Sequence, residues 1–382
     1  MKKLNTVFDY SRDIPEPQFS AIFDTNSKNI EFIPLYFKET KNTIKTIRQS
    51  LVKIFQLMKD GNIMINDTLS HMVALRKLGY KPSTEYNIFE ARQPQDVELK
   101  SEEHIKKELV KGLISMPKEP EPWMLIKAKS SAVYAELADR GVIWGPHHEH
   151  PIYNTDTLTG RSKTRGFNIQ GTTDNDPIYH TEDSRRIFLC FDWVSADMRV
   201  AGFLSEDDFI NNSFVESDPY TELEKLLDAD DITRDDCKLE MLKNMYSVNL
   251  DGPLLDVMPG LKEWMAVKKS EYEDGKTLKT ILGMGIPRVD LKSSFSGMIQ
   301  GTIAEAIQSV FIKISERMNS ECILTEIHDS LVVCCSDREI AEMIRKIVPI
   351  VLEPLDGVNL RFPVKVSVGK KWRHWKKYKV YR

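Results

Sequence analysis

Two acids stand where strand-like runs end. In RRIFLCFDW (185–193) the β-favouring Ile187, Phe188, Leu189 and Phe191 lead to Asp192, and SADMRVAGFL after it reads as a helix. The spacing predicts Asp192 at the carboxyl end of a strand. In ECILTEIHDSLVVCC (321–335) two apolar half-strands flank His328, Asp329 and Ser330, the pattern of a β-hairpin with Asp329 at its turn. If the two strands are neighbours, the carboxylates converge. Such a pair is the smallest oxygen-rich cage for one or two Mg²⁺ ions, and the chemistry it suggests is metal-assisted phosphoryl transfer. Taken singly, each acid also reads as a turn residue or a helix N-cap.

A second group lies in TRDDCKLEMLKNMYS (233–247), a helix candidate on which Arg234, Lys238, Leu242 and Tyr246 follow one another at steps of four. Two cations one turn apart suit either a solvated face neutralised by Asp235, Asp236 and Glu240 or a fork for a triphosphate. The tail from Lys370 to Arg382 holds seven Lys and Arg and no acid, interleaved with Trp372, Trp375, Tyr378 and Tyr381. That is the composition of a nucleic-acid contact strip or of a solvated, frayed terminus. HHEH (147–150) offers imidazoles, but adjacent histidines on an extended chain point to opposite faces, and no distant Cys or His cluster completes a zinc set.

The elements that position these residues belong to a globular chain. Its 382 residues are 41% hydrophobic and 29% charged, which excludes a disordered or collagen-like chain. A net charge of −4 means that nucleic-acid affinity has to come from segregated local charge. Five cysteines without C-x-x-C spacing argue against a disulfide framework and a cysteine zinc site. The start, MKKLNTVFDYSRD, meets Asp9 and Arg12 before an apolar run can form, and no apolar run reaches about 18 residues. A cytoplasmic protein without a membrane segment is expected. Short apolar runs over residues 1–40 read as an appended lobe. From Asn42, Ile44, Ile47, Leu51, Ile54, Phe55 and Met58 recur at steps of three and four, predicting one long helix, and a second is predicted over Asp67–Leu78. Pro117, Pro120 and Pro122 then mark an extended linker and a domain boundary.

Taken in order, these segments resemble the family A DNA polymerases, the group that includes bacterial DNA polymerase I and many phage replicases. The family's first palm motif reads approximately DYSQIELR; DWVSADMR (192–199) keeps its metal-binding acid at Asp192, an acid five residues on at Asp197, and Arg199. The fingers-helix pattern R-x3-K-x3-F/Y-x3-Y-G is met by Arg234, Lys238, Leu242 and Tyr246, with Leu in place of the aromatic and Ser247 in place of Gly. The second palm motif, HDE, is met by His328 and Asp329, with Ser330 in place of the last acid. TLTGRSKTRGFNIQG (157–171), MPGLKEWM (258–265), MIQGTIAEAI (298–307) and PVKVSVGKKW (363–372) resemble further family segments in the same order.

The resemblance implies an α+β right-hand polymerase of the compact phage or plasmid type: a thumb-like helical region over 41–115, a palm over 125–205 and 303–382, and fingers over 206–302. It implies template-directed DNA synthesis with two Mg²⁺ ions, Mn²⁺ being a possible substitute. Asp192, Asp329 and the backbone carbonyl of Trp193 would hold the metals. Arg234 and Lys238 would grip the triphosphate, with Leu242, Tyr246 and Asp197 lining the nucleotide pocket. Arg161, Asn168, Gln170, Gln300 and His328 would touch DNA, and Trp372 would pack into the palm. The implied partners are primer-template DNA, deoxynucleoside triphosphates and accessory proteins such as a helicase, primase or processivity factor. Proofreading is expected to be absent, because a forty-residue lobe is too short for an exonuclease domain. Two competitors remain: a single-subunit RNA polymerase or primer-making enzyme, which commonly reads HDS, and an inactive DNA-binding accessory protein.

Overall fold

The structure, a computed structural model, describes residues 121–382 except 156, 180–186, 228–231 and 319, together with five strands and the helical residues Gln56, Leu57, Met72 and Arg76 before them. Those strands are β1 (Lys2–Thr6), β2 (Phe19–Asp24), β3 (Ile30–Pro34), β4 (Ile63–Asn66) and β5 (Ile88–Ala91). They form one sheet in the order β3-β2-β1-β4-β5, with β2 antiparallel to its neighbours and β4 and β5 parallel to β1. Parallel neighbours need crossover connections, so this sheet gathers strands from distant stretches of chain. It runs across the boundary expected at residue 40, and 41–115 contributes strands as well as helical residues. Strands β1–β3 are therefore joined to β4 and β5 and do not stand apart as a forty-residue lobe. Of the expected helical hairpin, only Gln56, Leu57, Met72 and Arg76 lie within the described residues. Met72 is buried in the main core, and Arg76 pairs with Asp139 at 3.1 Å.

Helix α1 (Pro122–Arg140) begins on a proline, which lacks the N–H that a first helical turn leaves unpaired. It is followed by β6 (Val142–Trp144), β7 (His147–Glu149), β8 (Pro151–Asn154), β9 (Lys163–Gly166) and β10 (Ile178–Tyr179); β10, β6 and β7 make one small sheet, β8 and β9 a hairpin. The HHEH histidines close the end of α1. His148 donates Nε2–H to the Arg140 carbonyl at 2.8 Å, and His150 donates Nδ1–H to that of Ala138 at 2.9 Å, satisfying carbonyls that a helix end leaves open.

The central sheet contains β11 (Ile187–Trp193), β12 (Ile323–Ile327), β13 (Ser330–Cys335), β14 (Val364–Gly369) and β15 (Lys376–Tyr381) in the antiparallel order β12-β13-β11-β14-β15. Alternation along β11 sorts its side chains. Ile187, Leu189, Phe191 and Trp193 enter the large core, whereas Phe188 and Cys190 join a smaller cluster with Val332, Cys334 and Trp372 on the other face. Asp192 follows the second set.

Helices α2 (Ala196–Ser205), α3 (Asp208–Ser213), α4 (Pro219–Leu227), α5 (Arg234–Ser247) and α6 (Pro259–Glu273) lead to α7 (Leu291–Arg317), and α8 (Ile340–Leu352) lies beyond the β12–β13 hairpin. The 27 residues of α7 cross the boundary expected between 302 and 303 without interruption, because their buried apolar positions continue through it. Gly301 lets the 278–286 segment approach closely: a Cβ there would lie 2.7 Å from Thr280 Cγ2. The basic tail is not frayed. It is edge strand β15, where the exposed Lys376, Lys377 and Lys379 discourage further strand pairing. Trp372 is buried as expected, donating Nε1–H to Thr172 Oγ1 at 3.0 Å.

Candidate active site

Asp192 lies opposite Ser330 of β13 on one side and Lys365 of β14 on the other. The Lys365 ammonium closes an ion pair on Asp192 Oδ2. Asp329 occupies the two-residue loop between β12 and β13, next to Ser330. Burial pushes its carboxyl up to about 6, the charges of Asp192 and Asp197 push in the same direction, and Arg161 acts against them. The two acids singled out by their strand positions therefore converge, and Asp197 joins them. Two non-glycine residues beside these acids have left-handed backbones, Ser195 (φ 52°) and His328 (φ 57°). Such conformations cost on the order of 1–3 kcal/mol and persist where the surroundings enforce them.

Asp197 sits in the first turn of α2 and accepts a 2.6 Å hydrogen bond from the Tyr246 hydroxyl on the last turn of α5. Burial and the Asp197 charge hold that hydroxyl far above the usual phenol range, while Gln300 and Arg161 act on it in the opposite sense. At the other end of α5, Arg234 donates Nε–H to Asp218 at 3.1 Å, and its guanidinium lies 5.4 Å from the Tyr220 ring centroid. The Tyr220 hydroxyl is raised by burial and then by Asp197. The two ends of the stripe are thus held by different acids, Tyr246 by Asp197 and Arg234 by Asp218. Asp236 reciprocally caps α5 with Thr233, and Glu240 pairs with Lys243. Lys238 remains exposed, without a hydrogen bond or ion pair among the described residues, and Leu242 packs on the core.

Ser162, next to Arg161, rests on a buried acid that its own segment does not announce. Ser162 and Tyr134 both donate hydroxyl hydrogen bonds to Glu326, the latter at 2.9 Å. Gln170 donates Nε2–H to Ser162 Oγ at 2.8 Å and accepts from the Thr164 amide, while Asn168 accepts from Thr164 Oγ1 at 2.7 Å. The amides of Asn168 and Gln170 therefore hold this loop together. His328 is exposed and lines an open cleft of about 530 Å³ with Gln170, Thr172, Thr173 and Arg373. Lys365 and Glu326 were not singled out in sequence; their only signal is a charge within apolar runs, VKVSV and ILTEI.

Among the described residues no group of three His, Cys, Asp or Glu is arranged to hold a metal. Mg²⁺ at phosphoryl-transfer sites commonly uses one or two carboxylates and completes its shell with water and substrate phosphates. Asp192 and Asp329 fit that requirement, and their mutual repulsion is what an added cation relieves. Trp193 has its ring stacked on Phe362 at 4.4 Å in the core, so only its main chain remains for the site.

No model of a known protein family matches the sequence, and no curated protein is significantly similar to it. Solved structures do match. The polymerase domain of Pol1 from M. smegmatis, in complex with DNA primer-template and dNTP, aligns with a TM-score of 0.51 at 15% identity. The alignment covers 85% of this chain and 66% of that one, so the chain spans a little under two thirds of the other's length. Among the described residues no helix is long and apolar enough to cross a membrane. At this identity the likeness establishes the fold: a mixed α/β chain resembling the Pol1 polymerase domain.

Proposed function

We propose that the chain is a template-directed DNA polymerase that adds deoxynucleotides to a primer 3′-hydroxyl by two-metal nucleotidyl transfer. The observation that carries this reading is the convergence of Asp192 and Asp329 with the Asp197–Tyr246 pair at the open end of the central sheet. Asp192, Asp329 and the Trp193 carbonyl hold the metals in this proposal. Bound there, Mg²⁺, or Mn²⁺ in its stead, supplies activation of the primer hydroxyl and stabilisation of the leaving pyrophosphate. Arg234, oriented by Asp218 and Tyr220, and Lys238 grip the triphosphate as negative charge builds there. Tyr246, anchored by Asp197, closes the pocket over the nascent base pair. Arg161 and Gln300 test its minor-groove acceptors, which every base pair presents. His328 faces the primer end from its cleft, and Asn168 and Gln170 act on DNA by shaping the loop that carries Arg161.

The partners under this reading are primer-template DNA, dNTPs and replication accessory proteins. Ser330 favours a second reading, a single-subunit RNA polymerase or primer-making enzyme. Extension of a labelled primer with separate deoxy- and ribonucleotide pools tests both. Deoxynucleotide extension supports the proposal, a ribonucleotide preference replaces it with the second reading, and DNA binding without incorporation by either pool marks an inactive accessory protein.

A further inference from the structure

The proposed chemistry leaves Lys365 without a role. It stands directly opposite Asp192 in the β11–β14 register, so both side chains leave one face of the sheet at the same level. Its Nζ closes on Asp192 Oδ2. On the other flank of Asp192, Ser330 turns its hydroxyl away, donating to the Ile327 carbonyl at 2.8 Å. Three neighbouring strands thus present a neutral hydroxyl, a carboxylate and an ammonium. Among the described residues, Lys365 is the cation that closes an ion pair on Asp192.

An ammonium and a divalent ion on one carboxylate oxygen repel each other strongly at contact distance. Lys365 is half-exposed on a flexible stem and can be displaced into solvent, so the contest is reversible. We infer that Lys365 is a built-in counter-ion that competes with divalent metal for Asp192 and thereby sets the metal concentration the site requires. The inference rests on the polymerase reading in taking Asp192 as a metal ligand. Before metal arrives, the Lys365 ammonium sits on Asp192 Oδ2; once metal arrives, the pair has to open.

Mn²⁺ titration of the full chain, with free Mn²⁺ followed by electron paramagnetic resonance, tests this without turnover. Lys365→Met preserves the length of the stem and removes the charge; it should bind Mn²⁺ about tenfold more tightly than the wild type. Lys365→Arg should stay near the wild type, and the Mg²⁺ concentration for half-maximal primer extension should move in the same order. If Lys365→Met fails to fold by near-ultraviolet circular dichroism, Lys365→Gln takes its place. Binding lost in Asp192→Asn yet equal in wild type and Lys365→Met overturns the counter-ion while leaving the metal site intact. Binding indifferent to Asp192→Asn overturns both.

Discussion

Glu305 of α7 and Glu326 of β12 lie in the interior, whereas Asp192, Asp197 and Asp329 gather at the open end of the central sheet. The interior acids are surrounded by hydroxyls: Thr280 donates to Glu305, and Tyr134 and Ser162 donate to Glu326. Burial pushes Glu305 up to about 8 and raises Glu326 despite these bonds. Each then braces a connection, Glu305 the 278–286 segment and Glu326 the loop carrying Arg161. At the open end the acids face one another, with Lys365 on one and Arg161 near another. The same functional group serves as an internal strut where its charge is suppressed, and as a receptor for cations where mutual repulsion is left standing.

Removing an open-end charge should have the largest effect. On the polymerase reading, Asp192→Asn or Asp329→Asn lowers nucleotide incorporation by at least about a thousandfold, since metal charge stabilisation is worth several kcal/mol, while primer-template binding stays within a few fold. Robust Mg²⁺-dependent extension by either variant removes the metal assignment.

For the interior acids the expected readout is stability. The folded-state pKa of Glu305 is raised above its ordinary 4.5, so its contribution is fully present below pH 4.5 and is lost as pH rises through about 8. By pH 8 the loss is on the order of 4 kcal/mol. Thermal melts should show the wild type losing stability across that window more steeply than Glu305→Gln, whose neutral amide does not titrate. Parallel curves would mean that Glu305 is not held protonated.

Smaller effects sharpen the contrast from the α5 side. Lys238→Ala should reduce the efficiency of dNTP use by roughly ten- to a hundredfold, in line with loss of one charge-assisted contact, with DNA affinity nearly unchanged. Single-nucleotide kinetics check this, and unchanged efficiency returns α5 to a solvated face. The smallest effect concerns the sugar. On the polymerase reading Asp197 walls the 2′ side of the incoming sugar, and it is one methylene shorter than the Glu of the motif DYSQIELR that it resembles, a retraction of about 1.5 Å. Asp197→Glu should therefore discriminate against ribonucleotides several-fold better than the wild type, measured with matched dNTP and rNTP; equal discrimination removes Asp197 from sugar selection.

Much of this arrangement is legible in the chain itself. Alternation through Ile187, Leu189 and Phe191 is enough to end a strand near Asp192, the apolar flanks of His328 and Asp329 make a hairpin, and steps of four from Arg234 to Tyr246 make α5. These are local properties, set by the periods of strand and helix over a few residues. The tertiary structure decided who stands opposite whom. Lys365 faces Asp192 through β-register, Glu326 meets Ser162 and Tyr134 from far along the chain, and β1 joins β4 and β5 across the boundary that composition suggests at residue 40. Periodicity names the face on which a side chain lies, but the partner across a strand or helix, and the burial that moves a carboxyl's pKa, depend on segments brought together by folding.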